Sequence, residues 1–139
     1  MKQNSKSIEY AKLHNLSVDL KHIMDMRGSV YVTVAGLRVF AHRKQVISII
    51  PELLPESDFD KSRFFAKCTV TMPPLDGQTA NRVFIEFGSS VGSNLNGAHC
   101  LMSHALTRAT GRALRNALDL ELPLAEEPKE YTMFVDQPP

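Results

Sequence analysis

The stretch Ala105-Leu106-Thr107-Arg108-Ala109-Thr110-Gly111-Arg112-Ala113-Leu114-Arg115-Asn116-Ala117-Leu118 has the spacing of an amphipathic helix. At 100° per residue, Met102, Ala105, Leu106, Ala109, Ala113 and Ala117 share one broad apolar face, which Leu114 and Leu118 extend. His104, Arg108, Arg112 and Arg115 gather on the other face. The pattern predicts a helix over Ala98–Leu118, and Pro123 and Pro128 prevent its continuation. Alanines at four-residue intervals let such a helix lie close to a neighbour, most simply a sheet.

Upstream, three runs rich in β-branched and aromatic residues supply that sheet: residues 46–50, Arg63–Met72 and residues 80–87. Pro51, Pro55, Pro73, Pro74, Asp76 and Gly77 punctuate the connections, which predicts an antiparallel meander. In the second run Phe65, Cys68 and Val70 cannot share one face by strict alternation, so a bulge and burial on both faces both remain open. In the third, Val83 and Ile85 alternate with Arg82, Phe84 and Glu86, and one face is expected to be wetter. Further upstream, residues 8–26 carry Ile8, Leu13, Leu16, Leu20, Ile23 and Met24 at mostly helical intervals and are expected to form a helix ending before Arg27-Gly28. Val30 to Val34 reads as a short strand or extended lead-in to a short helix over 35–45. The expected class is therefore α+β: a three-stranded antiparallel meander packed on a long C-terminal helix, a β-β-β-α core, with N-terminal helices.

The 139 residues, 43% hydrophobic and 22% charged, suit one core. Residues 1–9 are expected to be a flexible start, 10–119 the domain, and 120–139 a Pro-containing acidic tail. Net charge is +1, but residues 1–118 carry +6 and residues 119–139 carry −5. A basic body beside an acidic tail points to nucleic acid or to self-masking. Two cysteines build no disulfide framework, the start has no apolar signal-peptide core, and no apolar run reaches the ~18 residues of a membrane span. A cytoplasmic protein without membrane attachment is the expectation.

The arginine ridge is the most informative chemical feature. Arg108, Arg112 and Arg115 extend over roughly 10 Å at the helical rise, and no acid lies between Ala98 and Leu118. A solvated helix face ordinarily mixes Glu with Lys, whereas a planar guanidinium bonds phosphate in pairs and keeps its charge. Arg43 with Lys44, and Arg63 with Lys67, are further candidates for phosphate contact. Tyr31, Phe64 and Phe84 are candidates for stacking on bases. The Gly- and Ser-rich residues 88–97 contain neither GxxxxGK[ST] nor GxGxxG, which disfavours a nucleotide hydrolase. His99 and His104 project about 140° apart on a helix and have no fourth ligand at metal-site spacing, so neither metal nor cofactor is expected. Ser103 stands in no nucleophile signature, Cys68 reads as packing, and the chain is not expected to be an enzyme.

The 105–118 stretch resembles the "A-x-T-x-A-x-x-R-A-L-R" helix of the single-strand annealing recombination proteins, the superfamily of the eukaryotic recombination mediator and the phage Erf-type annealing proteins. Tyr31-Val32-Thr33-Val34-Ala35-Gly36-Leu37 is similar to the "YVTVAGL" element that precedes the meander and the "TRAxxRALRxA" helix in uncharacterised phage, archaeal and bacterial relatives. The resemblance covers roughly residues 28–120. It implies a β-β-β-α core that assembles into homo-oligomeric rings or filaments, holds single-stranded DNA in a positive groove, and pairs complementary strands without ATP. Arg112 and Arg115 match the two motif arginines. Competing readings are a double-stranded RNA-binding module, a small enzyme using residues 99–104, and an interaction subunit whose arginines bind an acidic protein. The first shares the order helix, three strands, helix, but it places a lysine cluster at the start of its last helix, and residues 98–106 contain none.

Overall fold

The structure, a computed structural model, describes residues 5–26, 29–92 and 98–119. In chain order it contains α1 (Ser5–Leu13), β1 (Ile23–Met26), β2 (Ser29–Val32), α2 (Val34–Arg43), β3 (Ser48–Leu53), β4 (Arg63–Met72), β5 (Arg82–Val91) and α3 (Ala98–Leu118). β1 and β2 pair antiparallel, and β3-β4-β5 form the expected three-stranded antiparallel sheet. The class is α+β, with a C-terminal helix beside the meander. No helix among the described residues is long and apolar enough to cross a membrane.

Strand β4 alternates without a bulge: Phe64, Ala66, Cys68, Val70 and Met72 are buried, while Phe65, Lys67, Thr69 and Thr71 point the other way. The even-numbered set faces α3, whose Leu101, Ala105, Ala109, Ala113 and Leu114 join it in one core. Gly88 makes the approach of α3 to β5 close. A Cβ there would meet the Ala109 nitrogen at 2.5 Å and the Ala105 carbonyl oxygen at 2.7 Å, so no larger residue fits without displacing the helix. Helix α2 packs on another side of α3. Thr33 caps α2, its hydroxyl accepting from Gly36 N at 3.0 Å and donating to the Lys21 carbonyl at 2.6 Å. Flanked by sheet and helix, α3 leaves open an arc on which Cys100, Ser103 and Asn116 are exposed and His104, Arg108, Arg112 and Arg115 are partly buried.

The expected helix over residues 8–26 stops at Leu13. Asn15 and Lys21 take left-handed φ of 51° and 58°, and local polar bonds replace the helical ladder: Ser17 N donates to His22 Nδ1, and Leu20 N to Ser17 Oγ. Leu13 and Leu20, which supported the helical period, are exposed, whereas Ile23 is fully buried opposite Val32 in the β1–β2 hairpin. Burial of both faces of a short hairpin outweighed an apparent helical rhythm. α1 itself begins at Ser5. The first meander strand is shifted to Ser48–Leu53 and runs through Pro51, which an edge strand tolerates. The third continues to Val91, drawing residues 88–91 of the expected loop into β5. Residues 93–97 of that loop, the Arg27-Gly28 breaker and the acidic tail beyond residue 119 lie outside the described residues.

Candidate nucleic-acid interface

β5 is an edge strand, and the arginine ridge runs along its free side. Arg108 Nη1 donates to the Ser89 carbonyl oxygen at 2.7 Å, and Arg112 Nη1 donates to the Phe87 carbonyl oxygen at 2.8 Å. An exposed row of carbonyls invites pairing with another chain, and cationic side chains laid over it are one way to protect it. Helical spacing of four on α3 matches strand spacing of two on β5, because both advance about 6–7 Å. One turn further on, Arg112, Arg115 and Asn116 line a polar cleft of about 240 Å³ with Glu86. Asn116 Nδ2 donates to Glu86 Oε2, and Arg115 Nε is buried with no hydrogen-bond partner. Two guanidinium groups against one carboxylate leave this cleft cationic.

The sheet face opposite α3 is uncovered among the described residues. Cross-strand partners share a face, so the register places Ile50, Thr69 and Ile85 in one row, Glu52, Lys67 and Phe87 in the next, and Phe65 with Ser89 beyond. Ile50, Val83, Ile85, Phe87 and Val91 are each at least half exposed. Val83, Ile85 and Phe87 follow one another along this face of β5, and an apolar run of this kind marks a binding surface more than scattered exposure does. At its Phe65 end a hollow of about 380 Å³ is lined by Leu54, Glu56, Phe65, Phe87, Ser89 and Arg112, among others. Arg112 therefore borders both the apolar hollow and the polar cleft, with the β5 edge between them.

The remaining predicted residues divide. Arg63 and Lys67 lie on the open face, two positions to either side of Phe65, and Lys67 Nζ is 3.8 Å from Glu52 Oε2 in a solvent-screened pair. Arg43 spans the α1–α2 corner, donating from Nη1 to the His14 carbonyl at 2.5 Å and from Nη2 to the Asn15 carbonyl at 2.6 Å. Lys44 is the C-cap of α2. Neither lines the cleft or the hollow.

The aromatic assignment requires correction. Tyr31 and Phe64 are buried and Phe84 packs against the core, so none of the three offers a ring face on the open sheet. Phe65 and Phe87 do. The parity of Phe64, Cys68 and Val70 along β4 carried that signal, since three apolar even positions turn Phe65 outward. Asn116 and Glu86 were also missed, because only the packing of α3 on β5 brings them together. No group of three or more His, Cys, Asp or Glu among the described residues could hold a metal ion. No family model matches the chain, and comparison with curated proteins gives no match.

Proposed function

We propose that this protein binds single-stranded DNA and pairs complementary strands in homologous recombination or repair, as the single-strand annealing proteins its 105–118 stretch resembles do. The observation that carries the reading is the cationic ridge Arg108-Arg112-Arg115 on a helix free of acids, set beside a sheet face that no other described element covers. Phosphates supply most of the affinity for a flexible strand, and guanidinium groups at helical spacing meet successive phosphates. The apolar face adds a surface on which unpaired bases lose less than duplex bases, which are already stacked. Annealing consumes no ATP in this reading and takes place in the cytoplasm, with several copies assembled along a strand. Arg63 and Lys67 extend the basic surface across the sheet, while Arg43 and Lys44 are peripheral to it.

The test is fluorescence anisotropy with labelled single-stranded and duplex oligonucleotides across salt, followed by fluorescence-detected annealing without nucleotide and by sedimentation with and without a long single strand. Tighter binding of single strands, a linear fall of log K with log salt, and strand-induced assembly are expected. A chain that binds neither form at low salt refutes the proposal, and an acidic protein partner then becomes the better account of the arginines.

A further inference from the structure

We propose that the hollow between Phe65 and Phe87 receives one unstacked nucleobase, and that the phosphate next to it crosses the β5 edge onto Arg112 and Arg115. The inference rests on the single-strand reading above and assigns that strand its path. Three observations converge on it. The hollow, about 380 Å³, is at the small end of ligand sites, with room for a flat heterocycle. Its lining includes two phenylalanines on adjacent strands, beside Leu54 and Glu56, and Phe87 is 54% exposed, so a ring face is open to stacking. The cationic cleft of about 240 Å³ lies across one strand edge and shares Arg112 with the hollow.

An apolar slot joined through one arginine to a cationic cleft has the polarity of a nucleotide, with a base at one end and a phosphate at the other. Glu86 does not reverse the sign of the cleft, because Asn116 engages its carboxylate and Arg112 and Arg115 outnumber it. Lys67, cross-strand partner of Phe87, and Arg63 place further positive charge on the same face, where a neighbouring phosphate emerges. A second copy of the chain is the other occupant that an apolar sheet face suits. Glu56 in the lining and Glu52 beside Lys67 offset part of this charge, but Arg63, Lys67, Arg112 and Arg115 outnumber them, and that balance favours the polyanion.

The experiment compares two single strands of equal length by anisotropy at fixed salt, one of deoxyadenosine and one of abasic deoxyribose. Wild-type protein should bind the base-bearing strand about tenfold more tightly, and 2-aminopurine within such a strand should be quenched on binding. Phe87→Ala should remove most of the preference while leaving abasic binding unchanged, Phe65→Ala should weaken it, and Phe87→Tyr should retain it. Equal binding of both strands by wild-type protein, with the salt slope intact, overturns the base slot and leaves the backbone reading standing. Failure to bind either strand overturns that reading and the slot with it. A Phe87→Ala protein that keeps its base preference but loses self-association in sedimentation also overturns the slot, assigning the hollow to a contact between copies.

Discussion

Arg112 reaches from the fourth turn of α3 to the carbonyl oxygen of Phe87, 25 positions earlier in the chain, and donates to it at 2.8 Å. The bond exists because Gly88, the next residue of β5, lets the helix backbone settle on the strand. A side chain that looks solvated on a helical wheel is thereby a structural clasp on a sheet edge, at the junction of an apolar hollow and a cationic cleft. On the single-strand reading, a structural role and the proposed binding role coincide at Arg112, whereas Arg115 makes no such clasp.

That overlap gives the first prediction. For single strands the salt slope is about −0.7 per phosphate neutralised, so Arg115→Ala should flatten log K against log salt by about 0.7 and leave urea unfolding unchanged. Arg112→Ala should flatten it by a similar amount and also lower stability, by about 0.5–1.5 kcal/mol, as the Phe87 carbonyl exchanges its guanidinium partner for water. Anisotropy over a salt series and urea melts separate the two variants. Identical behaviour in both assays would contradict the assigned roles.

Gly88→Ala should be more damaging than either. Its Cβ would meet backbone atoms of Ala109 and Ala105, which cannot swing aside as a flexible side chain would. Overpacking of this kind costs about 1–3 kcal/mol. Because the shift would lift α3 from β5, single-strand affinity should fall along with the denaturation midpoint. Unchanged stability would mean that the helix sits farther from the strand.

The two thiols should differ. Cys100 is exposed and should react with an aromatic disulfide reagent in the native protein, whereas buried Cys68 should react only on unfolding. Burial pushes the Cys68 thiol above its ordinary value of 9.0, with a Thr110 hydrogen bond and the Arg38 charge opposing in part. The unfolded chain therefore loses this proton at lower pH than the native one. The stabilisation from a neutral buried thiol is complete below the ordinary thiol value and declines as pH rises from there through the native value. The gap between the urea midpoints of wild-type and Cys68→Ala protein should accordingly narrow as pH rises above the ordinary thiol value.

Removing residues 120–139 should strengthen single-strand binding at low salt. The segment carries five acids and one lysine, and on the single-strand reading this charge is expected to compete with phosphate for the basic body. Screening over about 10 Å at ordinary ionic strength should erase the difference, and matched titrations at low and high salt would show it. Equal affinities at low salt would exclude competition by the tail.

Local pattern was enough for the elements whose neighbours agree with it. The alanine period of Ala98–Leu118 reappears as α3, Arg63–Met72 appears with those same bounds as β4, and α2 occupies the short helix expected after Val34. In these segments the period of the apolar residues and the face that becomes buried are one fact. Ile23 and Val32 show the contrary case: their burial in a hairpin against the core outweighed a helical rhythm built partly on Leu13 and Leu20, which remain in solvent. The ridge Arg108-Arg112-Arg115 was legible as a row of charge, because helical geometry fixes i, i+4 and i+7 without reference to anything else. Its position along the β5 edge was not, and neither was the exchange of Phe64 and Phe84 for Phe65 and Phe87 as the rings on the open sheet face. Which side of a strand meets water depends on the element that covers its other side. Helix α3 settles that through Gly88, across a span of sequence over which periodicity carries no information.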